Sequence, residues 1–386
     1  MNRNNWLEEL RADVRMIIER LWTPTLVHPR LEEARRKVAS SLAGPPTKPI
    51  TTVTGPTRTG KTTLLELLEK ALTARYAWLV VQVPYARPVV RFEITAPPSG
   101  IFSFASCFVD PLTEELRISM KARRIQDSTP GPDTRVVRTA SRRLSMSEAV
   151  NAAVETCTFY HVRVLLIDEG HHLGMVRSHV DYIRNLEALK TFVNRTGVRI
   201  VLAGTHDLES VRDMSAQLMA RSTNARLPRY RIEDARDVKA FKTILRRLSE
   251  RLPESAPPLE PEWAMLMERS LGLVGILFDW LLTAVSEAAT ENQLPKLLAY
   301  LDRTRLDDDE LAAMATEIED GETARTDVMA ERALRRSERH ARALERLIEL
   351  AKVRSRSAGK GRGPKNLKVG RRAPSIDPRL QRGAAA

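Results

Sequence analysis

Gly55-Pro56-Thr57-Arg58-Thr59-Gly60-Lys61-Thr62 sets two glycines, a lysine and a hydroxyl residue at the spacing of a phosphate-cradling loop. Glycines let the backbone curl so that successive N–H groups point inward at phosphate oxygens. The helix that follows adds the positive end of its dipole. Residues Gly55, Pro56, Thr57, Arg58, Thr59, Gly60, Lys61, Thr62 and Thr63 are therefore expected to line a nucleotide phosphate chain. Lys61 would meet the β- and γ-phosphates of ATP, and Thr62 would ligate Mg²⁺. The context fits, because the β-branched run Ile50 to Thr54 reads as a strand before the loop and Thr62 to Ala74 reads as a helix after it.

A second run answers the first. Val164-Leu165-Leu166-Ile167-Asp168-Glu169 is an apolar strand ending in two acids, which puts both carboxylates at the carboxyl edge of a sheet, beside the loop. Asp168 is expected to hold Mg²⁺, and Glu169 to orient and polarise an attacking water. That pair favours hydrolysis over transfer to a small acceptor. His171 and His172 follow directly and, with His179, invite a transition-metal reading. Neighbouring histidines on a helix point apart, however, and no carboxylate stands at the zinc-protease spacing, so a polar helix start is the expectation.

Outward from these runs, the pattern alternates strand and helix. Ala77 to Val83 reads as the next strand, Ser147 to Thr158 as a helix capped by Ser145 or Ser147, Val162 to Ile167 as a buried strand, Val180 to Asn194 as a helix and Val198 to Ala203 as another buried strand. Such an order implies a parallel sheet with right-handed crossovers. Before it, Trp6 to Trp22 and Leu31 to Leu42 have helical spacing, and Pro45, Pro46 and Pro49 break the second helix. Pro84 to Arg143 is irregular, with a helix expected near Phe108 to Met120. From Glu233 to Tyr300 strands give way to helical spacing in Val238 to Leu252, Pro261 to Arg269 and Leu271 to Ala289. The expected organisation is a helical segment over 1–45, an α/β ATPase domain over 46–232, a small helical lid over 233–305, a charged helical extension over 306–353 and a basic disordered tail over 354–386.

Charge narrows the partners. The chain of 386 residues carries a formal +13, and Arg354 to Ala386 holds ten Lys or Arg against Asp377 alone. A basic excess favours anionic partners. Between Lys121 and Arg143, the basic residues Lys121, Arg123, Arg124, Arg135, Arg138, Arg142 and Arg143 face only Asp127 and Asp133. They are candidates for salt-sensitive contacts with DNA phosphates. Cys107 and Cys157 lack the pairing of a zinc or disulfide framework. With no apolar signal core, and with Leu271 to Val285 too short to span a bilayer, no membrane association and a cytoplasmic location are expected.

The residues also resemble a family: the AAA+ ATPases of bacterial transposons, the TnsC and TniB group, within the wider set of initiator-like ATPases. The resemblance runs over Val27 to Ala289. Beyond the two motifs it rests on His28-Pro29-Arg30, Gly170-His171-His172, Val201-Leu202-Ala203-Gly204-Thr205 and Gln217-Leu218-Met219-Ala220-Arg221. It implies that Thr205 senses the γ-phosphate and that Arg221, or else Arg226, is an arginine finger reaching a neighbouring subunit's nucleotide. The lid of many AAA+ proteins carries a sensor arginine after a glycine, which Leu271 to Leu277 lacks. The resemblance further implies a homo-oligomeric ring or filament on double-stranded DNA, with target-site choice by a DNA-binding protein or a guide-RNA complex. Gly370 to Asp377 resembles tails implied to engage transposase subunits. A helicase loader or initiator of the same fold, and a signalling ATPase that binds no DNA, remain as alternatives.

Overall fold

The computed structural model describes residues 11–23, 25–45, 47–97, 100–116, 145–209 and 222–323. Five strands, β1 (Ile50–Thr54), β2 (Val89–Glu93), β3 (Val164–Asp168), β4 (Arg199–Gly204) and β5 (Ser222–Arg226), form one sheet in the order β2-β3-β4-β1-β5. All neighbours are parallel, with Val53 opposite Ala203 and Ala225, and Glu93 opposite Asp168. This is the expected α/β P-loop architecture.

Side-chain alternation explains why both faces are covered. Leu165 and Ile167 of β3 and Ile200 and Leu202 of β4 point into one core with Phe104, Phe108 and Phe192. Val164, Leu166, Val201 and Ala203, one residue out of phase, point into a second core with Val38, Leu64 and Leu68. Strands buried on both faces read as continuous apolar runs, which is why β3 and β4 were visible in the sequence. The second face is covered by α2 (Pro29–Ala43) and α3 (Lys61–Arg75), whereas α1 (Ala12–Trp22) packs elsewhere.

One strand reading is corrected. Ala77–Gln82 is a helix, α4, which buries Leu79 and leaves Trp78 and Val81 exposed. The place beside β3 belongs instead to β2, in which Val90 and Phe92 are buried and alternate with Arg91. The run Ala77 to Val83 is too short for its period to separate the two. Helical structure also starts earlier than expected, as a wide π-type turn over Phe104–Val109. By contrast α5 (Met146–Phe159) begins where its cap demands: Ser145 accepts from the Glu148 amide, and Glu148 accepts from the Ser145 amide at 2.9 Å. The helix α6 (His179–Thr196) ends at Gly197 in the left-handed conformation.

After β5 come α7 (Ala235–Ser249), α8 (Trp263–Arg269), α9 (Val274–Thr290) and α10 (Leu297–Arg303), and residues 308–323 are also helical. Their core gathers Phe241, Leu245, Leu277, Leu281, Ala284 and Leu301, and Leu21 of α1 joins it. Val14 and Ile18 lie against Ala289. Thus α1 belongs with the lid helices, and a chain segment before the sheet braces a bundle after it. Among the described residues no single helix is long and apolar enough to cross a membrane.

Candidate nucleotide site

Sheet order assembles the site. Because β4 lies between β3 and β1, the carboxyl ends of these three strands stand side by side, and they deliver Asp168-Glu169, Thr205 and the loop 55–60 to one edge. Binding at the carboxyl edge of a parallel sheet follows from that topology.

The two glycines of the loop serve different needs. At Gly55 a Cβ would lie 2.2 Å from the Leu227 carbonyl oxygen, so only glycine lets the chain leaving β1 pass the chain leaving β5. Gly60 has φ 95°, a left-handed conformation that turns the loop into α3. Arg58 shares positive φ, at 62°. Within the loop, Thr59 Oγ1 donates to the Pro56 carbonyl at 2.9 Å. The buried Lys61 ammonium curls back and donates to the carbonyls of Pro56 at 2.7 Å and Gly55 at 3.2 Å. Burial holds its pKa below the ordinary lysine value, while the charges of Glu169 and Asp168 pull the other way. A buried ammonium is poorly solvated, and an anionic phosphate oxygen is a stronger partner for it than a neutral carbonyl.

Thr62 Oγ1 donates to Asp168 Oδ2 at 2.7 Å, joining the first turn of α3 to the end of β3. A hydroxyl and a buried carboxylate at this separation are the hard oxygen donors that Mg²⁺ takes. Glu169 sits next to them with φ 53° and its amide on Asp168 Oδ1 at 3.0 Å. No sequence motif marks Glu93, yet register brings it beside Asp168. Burial raises its pKa, and the negative charges of Glu169 and Asp168 raise it further. Three carboxyls against one lysine favour a divalent cation.

Around this edge lies a cavity of about 540 Å³. Thr57, Arg58, Thr59, Gly60, Lys61, Thr62 and Thr63 form one wall together with Glu66 and Glu169. Trp22, Thr25, Leu26 and His28 close a second, and Val274, Gly275, Phe278 and Asp279 of α9 a third. Trp22 and Phe278 meet edge to face at 5.9 Å. The volume suits a nucleotide-sized ligand with an apolar end and a charged end. Nothing in the sequence marks Trp22 or Phe278, because residues more than 250 positions apart meet only through the bundle packing.

His28-Pro29-Arg30 fastens these walls. His28 caps α2 by accepting from the Leu31 amide through Nδ1, which also meets the Tyr230 hydroxyl at 2.9 Å. Burial, helped by the charge of Arg30, holds its pKa down at about 4, and a backbone contact at Thr59 opposes this. Arg30 pairs with Asp237 of α7, and its guanidinium lies 4.7 Å from the Tyr230 ring centre.

At the end of β4, Thr205 Oγ1 donates to Asp207 Oδ2 at 3.3 Å, and Gly55 N donates to the Gly204 carbonyl at 3.4 Å, so Thr205 neighbours the loop. Arg226 is at the end of β5 with its Nε on Glu209 Oε1 at 3.2 Å; the same oxygen accepts from Thr54 Oγ1 at 2.6 Å. Arg221 and the whole set Lys121, Arg123, Arg124, Arg135, Arg138, Arg142 and Arg143 lie outside the described residues. The expected divergence of His171 and His172 does not hold. Their ring centres are 4.3 Å apart, because the chain makes a tight 3₁₀ turn, Gly170–Gly174, in place of the α-helix start expected there.

Residues 46–211 match the family model of the AAA domain. No curated protein matches the sequence. Among solved structures the chain is similar to the Walker-type ATPase PABY2304 of Pyrococcus abyssi, at 18% identity over 78% of this chain and 76% of that one, with a TM-score of 0.46. It is also similar to the ORC2 protein of Aeropyrum pernix, at 15% identity over 76% and 74% of the two chains and a TM-score of 0.46. The chain is an ATPase of the α/β P-loop fold, and its residues 46–211 are similar to the AAA domain.

Proposed function

We propose that this ATPase regulates DNA transposition: with ATP bound it assembles as a ring or filament on target double-stranded DNA and recruits transposase, and hydrolysis disassembles it. The observation that carries the ATP chemistry is the meeting of Lys61, Thr62, Asp168 and Glu169 at one sheet edge. Lys61 exchanges its loop carbonyls for β- and γ-phosphate oxygens, Thr62 and Asp168 hold Mg²⁺, and Glu169 orients the attacking water. Thr205 reports the γ-phosphate from the neighbouring strand. The cation supplies charge neutralisation on the phosphates.

The transposition reading rests on the resemblance of the sequence motifs, and the DNA reading also on the basic residues between Lys121 and Arg143. Arg221 is the proposed finger acting on a neighbouring subunit. Arg226 suits that role less, since its guanidinium is already engaged by Glu209. Assembly driven by ATP needs contacts that differ between the ATP and ADP states.

The test is imaging of the purified protein with double-stranded DNA and a slowly hydrolysed ATP analogue, beside Lys61→Ala and a DNA-free sample. Rings or filaments that need both nucleotide and Lys61 support the assembly, and a transposase pull-down that is lost on deleting residues 354–386 supports recruitment. Assembly on DNA without transposase capture favours a helicase loader or initiator. A protein that ignores DNA at low salt favours a signalling ATPase.

A further inference from the structure

Glu169, His171 and His172 bring three metal-binding side chains out of four consecutive residues. One ligand atom from each lies within 4.8 Å of the others, and all three side chains are half-buried. The backbone causes this. Glu169 turns the chain with φ 53°, and His172 N then donates to the Glu169 carbonyl at 3.1 Å, closing a 3₁₀ turn. The turn brings the side chains of Glu169 and His172 to the same side, and the His171 ring lies tilted against that of His172 at 4.3 Å.

The contact between His171 and Glu169 is informative. Nδ1 of His171 is 3.1 Å from Glu169 Oε2, yet the two do not line up as donor and acceptor, and Nδ1 is buried without a hydrogen bond. Two ligands of one tetrahedral zinc ion, each about 2.1 Å from the metal, are separated by roughly 3.4 Å. The two groups therefore already stand near the edge length of a shared coordination shell.

We propose that Glu169, His171 and His172 form a site for a zinc-class divalent cation, separate from the oxygen donors Thr62 and Asp168. Two imidazoles and one carboxylate suit zinc, whereas Mg²⁺ prefers oxygen ligands. Three protein ligands leave a fourth position open to water or a phosphate oxygen. A cation held here takes the Glu169 carboxylate out of use, so zinc binding stops hydrolysis and leaves ATP in place. That last consequence rests on the proposed role of Glu169; the binding itself does not.

The binding is tested first, on the full chain without nucleotide or Mg²⁺, by calorimetric titration with Zn²⁺ and by the visible spectrum with Co²⁺. A single zinc per chain and tetrahedral cobalt bands are expected, with affinity falling at least about tenfold in His171→Ala and in His172→Ala. His161→Gln serves as the histidine control. Retained binding of a fluorescent nucleotide in each variant shows that it has folded, and His172→Gln replaces His172→Ala if that variant has not. Zinc binding that persists with both histidines replaced, or no binding to the unaltered chain, overturns the site. With the site filled, unchanged hydrolysis overturns the coupling and with it the water-orienting role of Glu169, while the binding result stands.

Discussion

The Thr62 hydroxyl donates to the Asp168 carboxylate at 2.7 Å, so the helix after the phosphate loop and the strand two places away in the sheet share one hydrogen bond. Thr62→Val removes the donor and the proposed Mg²⁺ ligand together, and leaves a buried carboxylate without that partner. The Mg²⁺ concentration for half-maximal hydrolysis should rise at least about tenfold, whereas Thr62→Ser should stay near the unaltered enzyme. A Mg²⁺ titration of hydrolysis decides it; equal curves for Val and Ser would remove Thr62 from the metal site.

The phosphate loop also touches the lid. Gly275 N donates to the Arg58 carbonyl at 2.9 Å, and a Cβ at Gly275 would lie 2.5 Å from that oxygen. Gly275→Ala must push α9 off the loop, at a cost of about 1–3 kcal/mol, and should weaken nucleotide binding. Gly197→Ala is the comparison. It meets no atom within 4 Å but has φ +67°, so it should cost about 1 kcal/mol and leave nucleotide affinity alone. Urea unfolding and nucleotide titration of both variants separate the two effects.

His28 makes stability depend on acid. The unfolded chain protonates this side chain near pH 6.5, and the folded chain only near pH 4, because burial and Arg30 disfavour the charge. Between those values the unfolded state binds the extra proton, so stability falls as pH falls, by up to about 3 kcal/mol, and the loss is complete below the window. His28→Gln should flatten this part of the curve. Parallel curves for the two proteins, in urea melts between pH 7 and pH 4, would exclude His28 as the cause.

Residues 308–323 are tied to the ATPase domain by Glu322, which accepts from Arg229 at 3.2 Å and Arg231 at 2.7 Å. Its neighbour Gly321 faces His206, beside Thr205: a Cβ there would lie 3.0 Å from the His206 ring. Glu322→Ala leaves two guanidiniums without this carboxylate and should cost about 1–3 kcal/mol. If the contact also steadies Thr205, kcat falls in this variant while nucleotide affinity holds. Unaltered melting would show the pairing to be a surface contact of no weight.

How much of this was legible depends on how local the cause is. β1, β3, β4 and the phosphate loop were read closely because a strand buried on both faces writes an apolar run, and a phosphate loop needs its glycines and lysine at fixed spacing. Asp168-Glu169 was read for the same reason. β5, with the sequence Ser-Thr-Asn-Ala-Arg, was not, since an edge strand buries little and Asn224 is there for its bonds with Thr52 and Thr54. β2 lies in an irregular stretch without a strand signature, and α4 reads as a strand in the sequence because its six residues are too few to show a period.

The sequence by itself determined that the chain has a phosphate loop and an acidic strand end, because both are sets of neighbours whose chemistry lies in their spacing. Only the tertiary structure decided what surrounds them. The cavity walls come from α1, the loop and α9, Glu93 reaches Asp168 through parallel register, and His171 meets Glu169 through a backbone turn. Those meetings follow from strand order, helix packing and, for His171, one residue's dihedral angles, and none of these leaves a periodic mark on the residues that take part.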